Sequence, residues 1–342
     1  MITIGMLSHR KDPRTVFKSY AYAAAAKMEG VDFYFFSPGS VNFNDRRILA
    51  WVYEDGQWMQ KSRPFPDVIY NSSSPGTERQ EEIVDRLHEM IPFTSYSIGD
   101  KMHVHKKIKE GKLFAHYLIP STEILKYQDV FKFLHRHKKI VLKPLYGHKG
   151  QNIFFVWRNK ENFIVQQDKT RVKMNKTKFK VFAEKVAKKE SYLAQAFIKS
   201  TTKKGLATHF RLHVQKNEEG KWALTTIYPC IASEGFTANL SNGGYTTMFE
   251  IFLKKEFGGE YYNIKRYMEH FAVVFSEHFD RLYDGSLDEL GIDIGLDSIH
   301  RIWIYEVNWR PGTPATFALE LDVVKRMIRY ARFLAEKNCA TG

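Results

Sequence analysis

The sequence predicts an α/β fold, with a small N-terminal α/β unit over residues 1–99 followed by two lobes at 100–194 and 195–342. Three observations carry that expectation. Apolar runs of strand type alternate with helical periodicity across the first unit. Ile140 to Ile153 reads as a strand, a glycine-bearing loop and a return strand. Gly291-Ile292-Asp293-Ile294-Gly295-Leu296 and Ile302 to Trp309 are alternating apolar runs about a short polar turn, which is the pattern of a β-hairpin. A chain of 342 residues is long enough for a sizeable core and for two or three subdomains.

In the first unit Ile2–Ser8 is read as a strand, Thr15–Glu29 as a helix with an alanine-rich side, and Val31–Ser37 as a second strand. Trp51–Gln60 is expected to turn as a hairpin around Glu54-Asp55-Gly56. Val68–Asn71 follows as a short buried strand, and Pro75–Met90 as a helix with Glu78, Glu81 and Glu82 towards its start. Alternating β and α elements argue for a parallel sheet with covering helices. No Gly-x-Gly-x-x-Gly follows the first strand, which argues against a dinucleotide site there.

The second segment is read as helices at Lys101–Glu110 and Tyr127–His137, a strand at Lys139–Pro144 and a return strand at Gln151–Arg158. Phe179, Phe182, Ala183 and Val186 recur at helical spacing, giving Lys178–Lys189 one apolar face and one basic face. Ser191 to Ile198 is a buried strand. The last segment adds strands at Leu206–Gln215 and Trp222–Cys230, a polar loop, a helix at Tyr262–Leu282, the hairpin and a closing helix at Pro314–Lys337.

Composition narrows the class. With 44% hydrophobic and 26% charged residues the chain is that of a folded globular protein. Cys230 and Cys339 are its two cysteines, far apart, which argues for a reducing compartment without a disulfide framework. The opening run Ile2–Leu7 lacks the layout of a signal peptide, and no apolar run approaches the roughly 18 residues of a membrane span. A cytoplasmic protein is expected. The net charge of +14 is uneven: Lys101 to Glu190 holds 23 basic against 7 acidic residues, so the remainder is at −2. Such a lobe favours anionic partners, although for most of these lysines a solvated surface is the better reading.

The chemistry-bearing residues lie in a fixed order. Lys143 sits inside an apolar strand, where a phosphate partner would offset the cost of burying its charge. Gly147 and Gly150 in the following loop allow a tight turn and offer amides to phosphate oxygens. Taken alone, this segment reads equally well as a hairpin turn with a snorkelling lysine. Arg211 lies in an alternating strand; its guanidinium suits a transferring phosphoryl group, but alone it reads as a surface arginine on an edge strand. Thr237 to Gly244 is a polar loop ending in Gly243-Gly244, able to present amides to an anion or merely to connect. In the hairpin, Glu306 and Asn308 are two apart and share a face, with Asp293 within reach. Two carboxylates and an amide without His or Cys suit a hard cation such as Mg2+. His103, His105, His135 and His137 lack supporting carboxylates and read as solvated or core histidines.

In this order the residues resemble the ATP-grasp superfamily. The Asp293 to Glu306 interval, Glu306-Val307-Asn308 and Arg310-Pro311-Gly312 match its metal-binding hairpin, and the likeness covers about residues 100–320. Within the superfamily the chain is most similar to the endospore-coat-associated group of Bacillus-type bacteria. Asp100-Lys101, Leu118 to Thr122, Phe210-Arg211 leading to Val214-Gln215-Lys216, and Asn239-Leu240 before Gly243-Gly244 carry that likeness. The resemblance implies a pre-grasp domain at 1–99, an N-terminal grasp lobe at 100–194 and a C-terminal grasp lobe at 195–342. It implies ATP held by Lys101 and Lys143 and covered by Gly147 to Gly150, with Gln195, Ala196, Phe197 and Ile198 as the adenine hinge. Arg211 would stabilise the γ-phosphate and the acyl-phosphate, Asp293, Glu306 and Asn308 would bind Mg2+, and Asn239, Gly243, Gly244 and Arg310 would face the acceptor. His209 departs from the group's pattern, which commonly has an acidic residue two before the arginine.

The function so implied is an ATP- and Mg2+-dependent carboxylate–amine ligase working through an acyl-phosphate, on small-molecule or peptide substrates of which an acidic one suits the basic lobe. Association with sporulation and the forming spore coat is part of the same implication. The alternative is a nucleotide-binding structural protein of the spore coat without turnover. A nucleic-acid binder ranks last, since no recognised motif for it is present.

Overall fold

The computed structural model describes residues 1–145, 152–167, 170–189, 191–234, 238, 243–311 and 317–339. Gly147, Gly150 and Asn239 lie outside them.

The first sheet comes from the N-terminal unit. β1 (Thr3–Leu7), β2 (Asp32–Phe36) and β6 (Val68–Asn71) pair in parallel in the order β2-β1-β6, with α1 (Phe17–Met28) as a connecting helix. The sheet is mixed rather than purely parallel. β3 (Val41–Asn42), β4 (Arg47–Glu54) and β5 (Gln57–Pro64) extend it antiparallel, because Asp55 and Gly56 both take positive φ, at 49° and 79°, and close a two-residue hairpin turn. α2 (Glu78–His88) starts where the Thr77 side chain accepts from the Gln80 amide.

The second sheet, in the order β11-β10-β9-β8-β12-β7, belongs to the basic lobe. Its strands are β7 (Ser121–Ile124), β8 (Lys139–Pro144), β9 (Phe154–Asn159), β10 (Asn162–Gln167), β11 (Thr170–Met174) and β12 (Tyr192–Ala196). α3 (Lys101–Glu110) precedes it, with Asp100 accepting from the Met102 and His103 amides. α4 (Tyr127–His137) and α5 (Lys176–Lys189) cover one face, where Phe133, Phe163, Phe179 and Ala183 are buried. The hairpin strands β10 and β11 were not foreseen; their short runs sit among charges without a clean alternation.

The third sheet runs β14-β13-β15-β16, all antiparallel: β13 (Thr208–Lys216), β14 (Trp222–Ile231), β15 (Glu289–Leu296) and β16 (Ile302–Trp309). α6 (Phe249–Phe257) and α7 (Tyr261–Asp280) pack on one face through Phe252, Met268, Phe271 and Phe275. Every residue of β15 is buried, as expected for a central strand between a helical layer and a second lobe.

α8 (Phe317–Cys339) packs both on this sheet, where the Gln215 side chain donates to the Val323 carbonyl at 3.0 Å, and on the first. Val324, Met327, Ile328 and Ala331 share a core with Ile4, Met6, Tyr22 and Val68 of the first unit, so the closing helix completes the N-terminal domain. Among the described residues no helix is long and apolar enough to cross a membrane.

Candidate functional site

The cleft lies between the second and third sheets, and β15 supplies its floor. Ile292 and Ile294 point into the core below. Gly291, Asp293 and Gly295 alternate with them and therefore face the cleft. Both glycines are required by close approach. A Cβ on Gly295 would collide with the Tyr305 hydroxyl, and one on Gly291 would come 2.5 Å from Pro311.

A bulge in β16 sets how Asp293, Glu306 and Asn308 meet. Asp293 pairs with Glu306 but Ile294 pairs with Ile304, which leaves Tyr305 as an extra residue in β16. Strict alternation from Ile302 would send Glu306 and Asn308 into the core beside Ile304. The extra residue reverses the phase: Ile304 and Val307 are buried, while Tyr305, Glu306 and Asn308 are partly open to the cleft. The sequence carries this signal in the spacing of Ile302, Ile304 and Val307, which steps by two and then by three.

Around Asp293 and Glu306 the charges are dense. Arg211 forks onto Asp293, its Nε bonding one carboxylate oxygen and an Nη lying 2.8 Å from the other. β13 lies between β14 and β15, so Arg211 is on an interior strand and the edge-strand reading of it falls. The Asn308 amide nitrogen is 3.4 Å from an Asp293 oxygen and 3.2 Å from a Glu306 oxygen. One point in space is thus within reach of both carboxylates. Lys101 Nζ stands 3.8 Å from Glu306, and Lys143 Nζ donates to the Tyr305 carbonyl at 3.4 Å. Burial pushes the Lys143 ammonium down to about 8, against the pull of Glu306. Burial would raise the Glu306 carboxyl, but Lys143 and Lys101 hold it at about 2, so it is ionised at neutral pH. His209 Nε2 is 3.9 Å from Asp293, and burial lowers its pKa, which leaves the ring neutral at pH 7.

The donor set fits a hard divalent cation, with conditions. No cluster of three or more His, Cys, Asp or Glu that could hold a metal occurs among the described residues. The set is two carboxylates and one amide, and Asn308 would have to turn its oxygen inward. Three cationic groups (Lys101, Lys143, Arg211) face two carboxylates here, so the site is electropositive as it stands. It suits a polyanion, or a cation that arrives together with one.

Towards the hinge, a cavity of about 440 Å³ is lined beside the second sheet by Lys139, Phe197 and Ile198 and from the third sheet by Thr208, His209 and Tyr305. The Gln195 side chain is buried and bonds the Ser121 hydroxyl at 3.1 Å. The Ala196 and Phe197 amides donate to Pro120 and Lys139 carbonyls at 2.9 and 3.1 Å. The Ile198 amide donates to no described residue, and Ile198 lines the cavity. Lys139, which the sequence reading passed over, lies four residues before Lys143 on the same strand face and 3.8 Å from the Phe197 ring centre. Gly243, at φ 83°, sits in a turn after β14, and Gly244 follows it before the Ile231–Tyr245 bridge.

Arg310 is set differently from the acceptor-facing position implied for it. Its guanidinium is buried, forks onto Asp288 and reaches Asn71 at the end of β6, because the chain turns sharply after Trp309 and carries the side chain under the N-terminal sheet.

Comparison with known proteins agrees with this architecture. The YheC/D-like ATP-grasp family matches residues 90–334. The endospore coat-associated protein YheC of Bacillus subtilis (strain 168) is 27% identical over 91% of this chain and 89% of its own. The endospore coat-associated protein YheD of the same organism is 24% identical over 88% of this chain and 70% of its own. Among solved structures, the ATP-grasp ligase PsnB complexed with minimal precursor superposes with a TM-score of 0.59 at 10% identity, over 98% of this chain and 99% of that one. The D-alanyl-alanine synthetase A of Vibrio cholerae gives 0.56 at 12% identity, over 100% and 99%. At such identities the structures speak for the fold, whereas the family match spans most of the chain and includes every residue of the cleft. The chain belongs to the YheC/D-like ATP-grasp family.

Proposed function

We propose that the protein is an ATP- and Mg2+-dependent carboxylate–amine ligase that works through an acyl-phosphate. The observation that carries this is the convergence of Asp293 and Glu306 on one amide nitrogen inside a ring of Lys101, Lys143 and Arg211. Carboxylates alone would suit a bare cation, and the lysines alone a bare anion. Together they suit a metal–triphosphate pair. Lys101 and Lys143 hold phosphate oxygens, and the Ile198 amide meets the nucleobase edge in the cavity beside Phe197. Bound Mg2+ supplies charge neutralisation on the transferring phosphoryl group.

Arg211 has two tasks in this reading. Its fork on Asp293 fixes that carboxylate for the cation, and its remaining N–H groups face the cleft, where charge builds on the γ-phosphate. An acceptor carboxylate takes the γ-phosphoryl group, ADP leaves, and an amine nitrogen then attacks the acyl carbon and expels phosphate. Two lobes closing over the cavity would exclude water, which otherwise hydrolyses the acyl-phosphate. Neutral His209 adds no charge beside Asp293. A role on or near the spore coat is proposed from the two Bacillus relatives.

The test is a phosphate-release screen of amino acids and peptides, paired as acceptor and amine, with Mg-ATP. Acceptor-dependent phosphate release is expected, lost by at least about a hundredfold in Glu306→Ala because the metal loses a carboxylate. Tight ADP binding with no release for any pair would favour the non-catalytic spore-coat reading. Full activity of Glu306→Ala would sink the cation assignment.

A further inference from the structure

The backbone of Arg310 is left-handed, with φ 57°, at a residue that carries a full side chain and precedes a proline. Both features disfavour that conformation. It therefore needs something to hold it, and the side chain is where the hold is found. Nε donates to the Asn71 carbonyl at 2.7 Å; one Nη bonds the Asn71 side-chain oxygen at 3.0 Å, Thr94 at 3.4 Å and Asp288 at 3.0 Å. The other Nη pairs with Asp288 and lies 3.5 Å from Glu289. The guanidinium also sits over the rings of Tyr70 and Trp309, at 4.8 and 4.9 Å. Only 7% of its side chain is exposed and none of Asp288's.

Apart from Thr94 and Trp309, these partners come from two places. Asn71 and Tyr70 end β6 of the N-terminal sheet, and Asp288 and Glu289 open β15 of the cleft floor. Arg310 follows Asn308 by two residues, so the bonds that fix Arg310 also fix where β16 ends. Pro311, next in the chain, lies against Gly291 on the face that carries Asp293. A free strand end would let Asn308 and Glu306 drift relative to Lys143 by the fraction of an ångström that cation binding does not tolerate.

We propose that Arg310 is a positioning residue, pinning the end of the β15–β16 hairpin to the N-terminal sheet so that Glu306 and Asn308 are held for the cation. Substrate does not touch it; it acts through the backbone. The inference rests on the cation reading of the hairpin for its consequence, but not for its geometry.

The test uses the full chain with Arg310→Lys, which keeps the charge and loses the fork, and Arg310→Gly, which relaxes the backbone and loses both. Hydrogen exchange of peptides covering 302–309 is measured without ligand at a temperature where each variant is folded. Calorimetry then compares ADP affinity in EDTA with that in Mg2+. Exchange at least tenfold faster across β16 is expected in both variants, with ADP affinity in EDTA unchanged and the Mg2+ enhancement reduced at least tenfold. Wild-type exchange in either variant overturns the pinning, and faster exchange with an intact Mg2+ enhancement overturns its consequence for the cation. Wild-type protein lacking any Mg2+ enhancement overturns the cation reading instead, and the exchange comparison alone then decides the role of Arg310.

Discussion

Two ionic clusters lie a few residues apart along β15, and they are built on opposite plans. At its start Asp288, Glu289, Arg310 and His213 form a sealed group: His213 bonds Glu289 at 2.8 Å, and neither side chain is exposed. Burial would raise the Glu289 carboxyl, but the His213 hydrogen bond and nearby cations hold it at about 2. Burial raises Asp288, with Arg310 opposing. In the middle of the same strand Asp293 meets Arg211, Glu306 and Asn308 in a cleft that opens into a cavity. The sealed cluster spends its charges on its own members. The open one is left with more cations than carboxylates, and that surplus is what a ligand can use. The difference lies in what packs above each cluster: the N-terminal sheet over one, and the gap between lobes over the other.

The largest expected effect comes from breaking the sealed side. Asp288→Ala leaves the Arg310 guanidinium buried beside a lost partner, which costs about 3–5 kcal/mol. Thermal unfolding should fall by on the order of ten degrees. Asp293→Ala should cost clearly less, since Arg211 can turn towards the cleft. Equal losses in the two variants would erase the distinction between the clusters.

Next comes Lys143 on the open side. Lys143→Ala should weaken ADP binding about tenfold to a hundredfold, the worth of a charge-assisted bond. Its pKa of about 8 also gives a pH signature. The protonated form binds phosphate, so ADP affinity should decline as pH rises through 8, and Lys143→Arg should flatten that decline in calorimetry. Stability runs the other way. Burial depresses the folded value below 10.5, the unfolded chain binds more protons between pH 8 and 10.5, and this residue's penalty fades across that window. An affinity profile that is flat in the wild type would remove Lys143 from the phosphate site.

The smallest effect belongs to Lys101, which is partly exposed and 3.8 Å from Glu306. Lys101→Ala should weaken ADP binding by only about threefold, in line with a screened pair. A loss as large as that of Lys143→Ala would mean that Lys101 bonds phosphate as strongly as the buried lysine does.

Much of the fold was legible in the sequence where local signals agreed. α3, α4 and β8 begin and end at the residues read for them, because Asp100 caps one helix, Asp129 accepts from the Lys126 amide before the second, and Lys138 at φ 63° stops it. α6 was missed inside what read as a polar loop, since its apolar residues face a core that only α7 and β14 create. In the site, Asp293, Glu306 and Asn308 were readable by type and spacing. The bulge at Tyr305 that brings them to the cleft was written in the Ile302, Ile304, Val307 spacing but needs the partner strand to interpret. Arg310 was legible as a residue and not as a role: whether an arginine reaches a substrate or a buried aspartate depends on a sheet more than two hundred residues earlier in the chain, at Asn71.

The closing helix imposes an order on synthesis. Ile4, Met6 and Tyr22 leave the ribosome long before Val324, Met327 and Ile328, which finish their core. Until then α1 covers this apolar face of the N-terminal sheet only in part. Translation at 5–20 residues per second keeps that face open for on the order of half a minute, long enough for chaperone capture or for pairing with another nascent chain. The lobe built on the second sheet, whose core runs from Ile124 to Ala194 without interruption, can fold while that first sheet waits.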